Sequence, residues 1–449
     1  MTKPEEGARL LASHTYGTWR PQKGWKKPLF ITKAEGVYLY DDRDKSYLDF
    51  SSQLMCSNLG HGNKAIIEAI CKQARELPYV FPGFACEAKA RAVNSLLEVM
   101  PQGLNQFFFS TSGTEANEAA LKIIRQYMDP RRKYKIISRY RSYHGSTAAS
   151  IALTGGPRRW FAEPVNKIPG VIFAPDAYCY RCPFGLKYPD CSLQCAEYVD
   201  YMIKEEGNVA AILVEPIVGT NGIIVPPNEY LPRLREIADK NEVLLVVDEV
   251  MSGWFRTGKW FAVEHWGVTP DILTTAKGCT GAYAPVGITA TTSEIRDFFE
   301  ERFFSHGHTY TMHPLVISAI PAAIEEYKKL MATGLPQRVS EHLRKRLLVL
   351  MDNHECIGDV RGLGHFWAVE LVKDRKTKEP FNTKADKAAL KPLMVSKLSA
   401  DMLNRGLYMA GWYNHFIIAP PLIITEEEVD KGVEIFDEVL TIADKEVKR

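Results

Sequence analysis

No stretch of the 449-residue chain approaches the roughly 18 consecutive apolar residues that a membrane-spanning helix requires. Its opening, MTKPEEGARLLASHTYG, lacks the apolar centre of a secretion signal, so a cytoplasmic protein that does not enter the membrane is the natural expectation. Surplus charge is missing as well. Lys and Arg number 56 against 54 Asp and Glu, a net of +2, which gives no electrostatic case for nucleic acid or an anionic membrane. Internal repeats and low-complexity segments are absent. Cysteine is sparse, nine in the chain, and reduced thiols are expected in a chain without a secretion signal. What remains is an ordinary globular composition, 46% hydrophobic and 24% charged, in a chain too long for one compact core.

Four of the cysteines cluster as Cys179-x2-Cys182-x8-Cys191-x3-Cys195. That spacing suits thiolate coordination of zinc, with Pro183, Gly185 and Pro189 supplying turns, but disulfides or plain reduced thiols fit it too. No metal is assigned.

The stretch Leu244 to Gly278 organises the rest. LLVVDEV reads as a buried parallel strand ending in Asp248 and Glu249, and DILTTAKG as a second strand delivering Lys277 before a Gly-rich loop. A carboxylate and a lysine at the carboxyl ends of neighbouring strands share the rim where α/β sheets bind ligands. The pair has a definite chemical use. Lysine forms a Schiff base with an aldehyde cofactor, and a carboxylate keeps that cofactor's pyridine nitrogen protonated, which implies pyridoxal 5'-phosphate.

Around this pair, regular alternation predicts a mostly parallel, doubly wound sheet: strands from Gln106, Tyr134, Val209, Leu244, the DILTTAK run and Gly287, with helices between them. STSGTEANEAAL turns from strand to helix at Gly113-Thr114, where free N–H groups form a phosphate site, or else a capping box merely starts the helix. Tyr143, in a loop after a strand, is placed to stack on a planar ring. Glu215 closes another strand beside Asp248 and Lys277. GVYLYDDRDKSYLDFSS reads as a hairpin, residues 156–196 as a long Pro-, Tyr- and Cys-rich excursion, and the C-terminal part as a helix over 316–331, a helix over 336–352, a strand GHFWAVELV, a helix over 386–405, a strand near 416–419 and a helix from Glu426. The division expected is an arm and hairpin over 1–58, a large cofactor-binding domain over 59–314, and a smaller α+β domain over 315–449.

In this order, YLDFSSQLMCSNLGH, STSGTEANEAAL, YHGST, VEP, LLVVDEVMSGWFRTG, TTAKGCTGAYAPVG, HGHTYTMHP, DVRGLGHFWAVEL and APPLIITEEEVD resemble the class III aminotransferases, the ω-aminotransferase branch of fold-type I pyridoxal phosphate enzymes. The resemblance implies that Lys277 is the Schiff-base lysine and Asp248 the pyridinium partner. It implies that Val250 packs under the ring opposite Tyr143, that Gly113 and Thr114 form the phosphate cup, and that Glu215 lies near the phenolic oxygen and the substrate. It also implies that Thr309 reaches the phosphate of a neighbouring subunit, hence a homodimer with shared sites, with pairing of dimers into tetramers left open. Arg256 and Arg361 match positions that are usually structural.

One departure bears on substrate. Many members of the family that use 2-oxo acids carry an arginine shortly before APPL, whereas LYMAGWYNHFIIAPPL has none. Either another cation substitutes or the pocket takes an ω-amino compound such as taurine, β-alanine or 4-aminobutyrate, or a simple amine, with pyruvate or 2-oxoglutarate as acceptor in a ping-pong exchange. Leu54, Met55 and Cys56 then offer an apolar wall, with Trp19 and Trp412 narrowing the entrance. The competing reading is a lyase of the dialkylglycine decarboxylase type or an aminomutase on the same fold, to which Gln53 points from one residue out of register.

Overall fold

The computed structural model describes residues 3–162 and 168–448. Its central sheet contains β1 (Gln106–Ser110), β2 (Lys135–Arg139), β3 (Val171–Ala174), β4 (Val209–Val214), β5 (Leu244–Asp248), β6 (Ile272–Thr275) and β7 (Gly287–Thr291). Their spatial order is β1-β7-β6-β5-β4-β2-β3. Only β7 runs against its neighbours, pairing antiparallel with β1 and β6, while the remaining pairs are parallel. All residues of β4, β5, β6 and β7 are buried. That double-sided burial explains why β4 and β5 read as continuous apolar runs rather than alternating ones. Helix α1 (Gly113–Met128) lays Ala120, Leu121 and Ile124 against one face, in a cluster with Leu213 and Val246.

A second body carries the antiparallel strands Ile357–Leu363, Phe366–Asp374 and His415–Ile418. Helices Leu335–Asn353, Met394–Asn404 and Glu426–Asp444 contribute Leu343, Leu398 and Phe436 to its core. The hairpin Tyr38–Asp41 and Ser46–Asp49 forms as read, and joins this part of the chain through a parallel pairing with Leu407–Tyr408.

Three elements differ from expectation. The helix over 386–405 is broken: a short turn ends at Ala388 and the helix restarts at Met394, because Pro392 lacks the N–H and the φ freedom to continue it. The helix over 316–331 begins at Pro314 and steps at Ser318. The excursion over 156–196 contains β3, a four-residue edge strand too short to stand out among prolines.

Candidate active site

Glu215 follows β4, Asp248 ends β5, and Lys277 lies just past β6, so three adjacent parallel strands deliver all three side chains to one rim. With Gly113, Thr114, Tyr143 and Val250 they line a single cavity of about 410 Å³, within the size range of small-molecule sites. Lys277 adopts a left-handed backbone conformation, φ 50°, an uncommon state for a residue with a β-carbon, held here by the packed turn around it.

Electrostatics differentiate the groups. Burial lowers the basicity of the Lys277 amine, against the pull of the Cys56 thiol, Asp248 and Glu215, because a charged ammonium loses its hydration there. Burial raises the Glu215 carboxyl, which accepts the N–H of Tyr143 at 3.0 Å and of Gly219 at 2.7 Å. Asp248 is oriented from three sides. Its Oδ1 accepts the N–H of Val250 at 3.0 Å, and its Oδ2 accepts Asn117 Nδ2 at 2.8 Å and faces His144 Nδ1, also at 2.8 Å. The nitrogen of His144 that faces the carboxylate is therefore the protonated one. Asn117 is itself fixed by the hydroxyl of Thr274 on β6, at 2.8 Å.

At the start of α1 the two sequence readings coexist. Ser112 caps the helix by accepting the Glu115 N–H at 3.2 Å, and the Glu115 carboxylate takes the Thr111 N–H at 2.7 Å. Gly113 and Thr114, in the first turn, have no intrahelical acceptor and remain available to an anion. A β-carbon at Gly113 would come within 2.7 Å of Val250 Cγ1, so the bare backbone is a steric requirement as well as an opening.

Other expected residues lie elsewhere. Thr309 is exposed, its carbonyl accepting the Tyr79 hydroxyl at 3.1 Å. Leu54 is 68% exposed, whereas Met55 packs with Ile217, Met251 and Phe366. Left-handed residues at Ser52, Gln53 and Met55 turn this segment so that Cys56, not its two predecessors, lines the cavity. Trp19 meets Tyr143 edge to face at 6.2 Å. Trp412 is buried and donates to Asn221 Oδ1 at 2.9 Å. Arg256 is held by Asn58 and Pro420, and Arg361 by Glu370 and Asp359; both are structural.

Sequence reasoning missed Arg158. Its guanidinium lies over three rings, 4.8 Å from the centroid of Trp19, 4.6 Å from Tyr143 and 4.1 Å from Trp412, and burial pushes it down to about 10. It also missed Asn117 and the contact of His144, although Asn117 falls one helical turn after Gly113, a spacing that marks the same face. The four clustered cysteines are free and surround a hole of about 20 Å³. Among the described residues, metal-ligand spacing occurs instead at His354, Cys356 and Asp444, where His354 is hydrogen-bonded by Asp444 at 2.6 Å and Asp437 at 2.9 Å. Among the described residues no helix is long and apolar enough to cross a membrane.

The sequence pattern of the family described as Aminotransferase class-III matches residues 21–440. The chain is a class III aminotransferase. It is similar to putrescine–pyruvate aminotransferase of Pseudomonas aeruginosa, 35% identical over 92% of this chain and 89% of the relative. It is equally similar to the leucine/methionine racemase of Thermococcus litoralis, 35% identical over 94% and 92%. The solved structure of taurine:2-oxoglutarate aminotransferase from Bifidobacterium kashiwanohense, in complex with PLP and glutamate, superposes with a TM-score of 0.93 at 33% identity, covering 100% of both chains. Class III aminotransferases use pyridoxal 5'-phosphate, and the cavity suits it: a primary amine of lowered basicity, a carboxylate fixed at the rim, and a helix start bare of side chain.

Proposed function

We propose that this aminotransferase moves an amino group from an ω-amino acid, ω-aminosulfonate or diamine to pyruvate or 2-oxoglutarate, in a ping-pong exchange. The observation that carries the reading is the buried Lys277 amine, held less basic than usual, in one cavity with Asp248. Bound there, pyridoxal phosphate supplies an electron sink for the pair left when a C–H bond breaks. Asp248 would hold the ring nitrogen, Tyr143 and Val250 the ring faces, and the N–H groups of Gly113 and Thr114 the phosphate. Lys277 would take the aldehyde in the resting enzyme, and its neutral amine would then accept the proton from the substrate carbon and return it. Glu215, fixed by two backbone N–H groups and lining the same cavity, would face the incoming amine.

Arg158 answers the missing arginine before APPL. It is the cation beside Tyr143 that would receive the acid end of the substrate. Trp19 and Trp412 act on substrate through it, by clamping its guanidinium. The relatives that name taurine and putrescine as donors support this class. We infer further that two copies share their sites. Thr309 is exposed, and Phe303, Phe84 and Phe81 are 88%, 62% and 61% exposed, surface that a partner would cover.

The holoenzyme is to be mixed with taurine, β-alanine, 4-aminobutyrate or putrescine and each acceptor, with alanine and glutamate quantified. Stoichiometric amino acid from at least one donor is expected, with Lys277→Ala slowing it by at least ~100-fold, the scale of a lost general base. Racemisation of an amino acid without net transfer, or no product from any pair, would overturn the reading.

A further inference from the structure

Arg158 is not the only cation on the Trp412 indole. Lys387, on the short helix Lys384–Ala388, places its Nζ 4.0 Å from the same ring centroid, where Arg158 Cζ stands at 4.1 Å. The ring face attracts each cation, but the two like charges repel, and an anion placed between them would relieve that repulsion. The acid next to Lys387 in the chain is already engaged: Asp386 accepts Lys391 at 2.7 Å and the Thr383 N–H at 2.8 Å. Among the described residues neither Arg158 nor Lys387 has a carboxylate within ion-pair distance. Burial, and then Arg158, bring Lys387 down to about 8, as expected of an ammonium facing another cation without a counter-ion. Tyr143 lines the cavity, and Arg158, Trp412 and Lys387 follow it in one row, so two positive charges stand one after the other from that cavity residue.

We propose that Lys387 is a second anion subsite at the mouth of the active site, which receives the distal acid group of a dicarboxylic 2-oxo acid while Arg158 holds the nearer one. This rests on the reading of Arg158 as the inner acid receptor, and it assigns 2-oxoglutarate over pyruvate as the preferred acceptor class. A mono-acid satisfies one cation and leaves the other bare. A diacid matches both.

The test uses the holoenzyme with one amine donor and compares KM for 2-oxoglutarate with KM for pyruvate. Lys387→Met keeps an unbranched side chain to lie on Trp412 and removes the charge; it is expected to raise the ratio of the two KM values about tenfold, with kcat for 2-oxoglutarate retained, and Lys387→Arg is expected to restore the ratio. Calorimetry with unreactive acids supplies a readout apart from turnover: glutarate should bind wild type more tightly than propionate and lose that advantage in Lys387→Met. A ratio that stays put, or glutarate binding no tighter than propionate, overturns the proposal. Arg158→Met separates the two levels. It should weaken both acceptors, and if it weakens neither, the reading of the inner receptor fails and the proposal with it.

Discussion

A lysine sealed in a protein interior is a cost to the fold that chemistry must justify. The unfolded chain holds the Lys277 proton up to its ordinary 10.5, whereas the folded site releases it earlier. Between the lowered value and 10.5 the unfolded state binds more protons, so stability rises with pH across that window. Lys277→Met is therefore expected to raise the melting temperature of the cofactor-free protein at pH 7, with the gain shrinking to nothing as pH approaches 10.5; calorimetric scans across that range check it, and a variant less stable throughout would contradict it. Lys277, Asp248 and Glu215 were legible from sequence because each closes an apolar run whose direction in the sheet is fixed. Arg158 was not, since its meaning comes from Trp19, Tyr143 and Trp412, which are distant in the chain and share no periodicity with it. Met55 and Leu54 were misplaced for a related reason: left-handed backbone at Ser52, Gln53 and Met55 defeats any rule about which side chain faces inward.

Among elements, the start of α1 carries two duties, capping itself through Ser112 and presenting bare N–H groups to the cavity. Gly113→Ala tests both at once. The added carbon would meet Val250 Cγ1 and Cγ2 at 2.7 and 2.8 Å, so a stability loss of about 1–3 kcal/mol from overpacking is expected, together with weaker cofactor retention on dialysis. Unchanged retention would show that the phosphate is held elsewhere. Long periodic elements were legible, and so was the adjacency of the strands that carry Glu215, Asp248 and Lys277. Others were not: the four residues of β3 lie in a Pro-rich excursion, and the strand Ile357–Leu363 hides in a stretch with two glycines. The helix break near Pro392 was signalled by the proline itself, and its apolar neighbours argued the other way.

For the molecule as a whole, Glu370 is a principal tie between the excursion and the C-terminal sheet. This buried carboxylate accepts the hydroxyl of Tyr178, Arg181 Nε at 2.6 Å and Asn414 Nδ2 at 3.1 Å, and pairs with Arg361 Nη1 at 2.8 Å. Against the cost of burial, Arg361 and Arg181 hold it down to about 2. A carboxylate lowered in this way stabilises fully above its ordinary 4.5, and that contribution is lost as pH falls toward 2. Glu370→Gln leaves the half-buried Arg181 without its anion and Arg361 with Asp359 alone, and is expected to cost about 3 kcal/mol, read as a lower urea midpoint at pH 7 whose gap to wild type narrows in acid.

The three rings on Arg158 come from the N-terminal arm, the loop after β2 and the C-terminal body, whereas the cavity residues Cys56 to Val286 include none of the C-terminal body. On the reading proposed for Arg158, substrate choice and cofactor chemistry meet at Tyr143 and are otherwise written in separable parts of the gene. Replacing Trp19, Lys387 or Trp412 would let such an enzyme drift to new amines and acids while its reactive centre stays as it is.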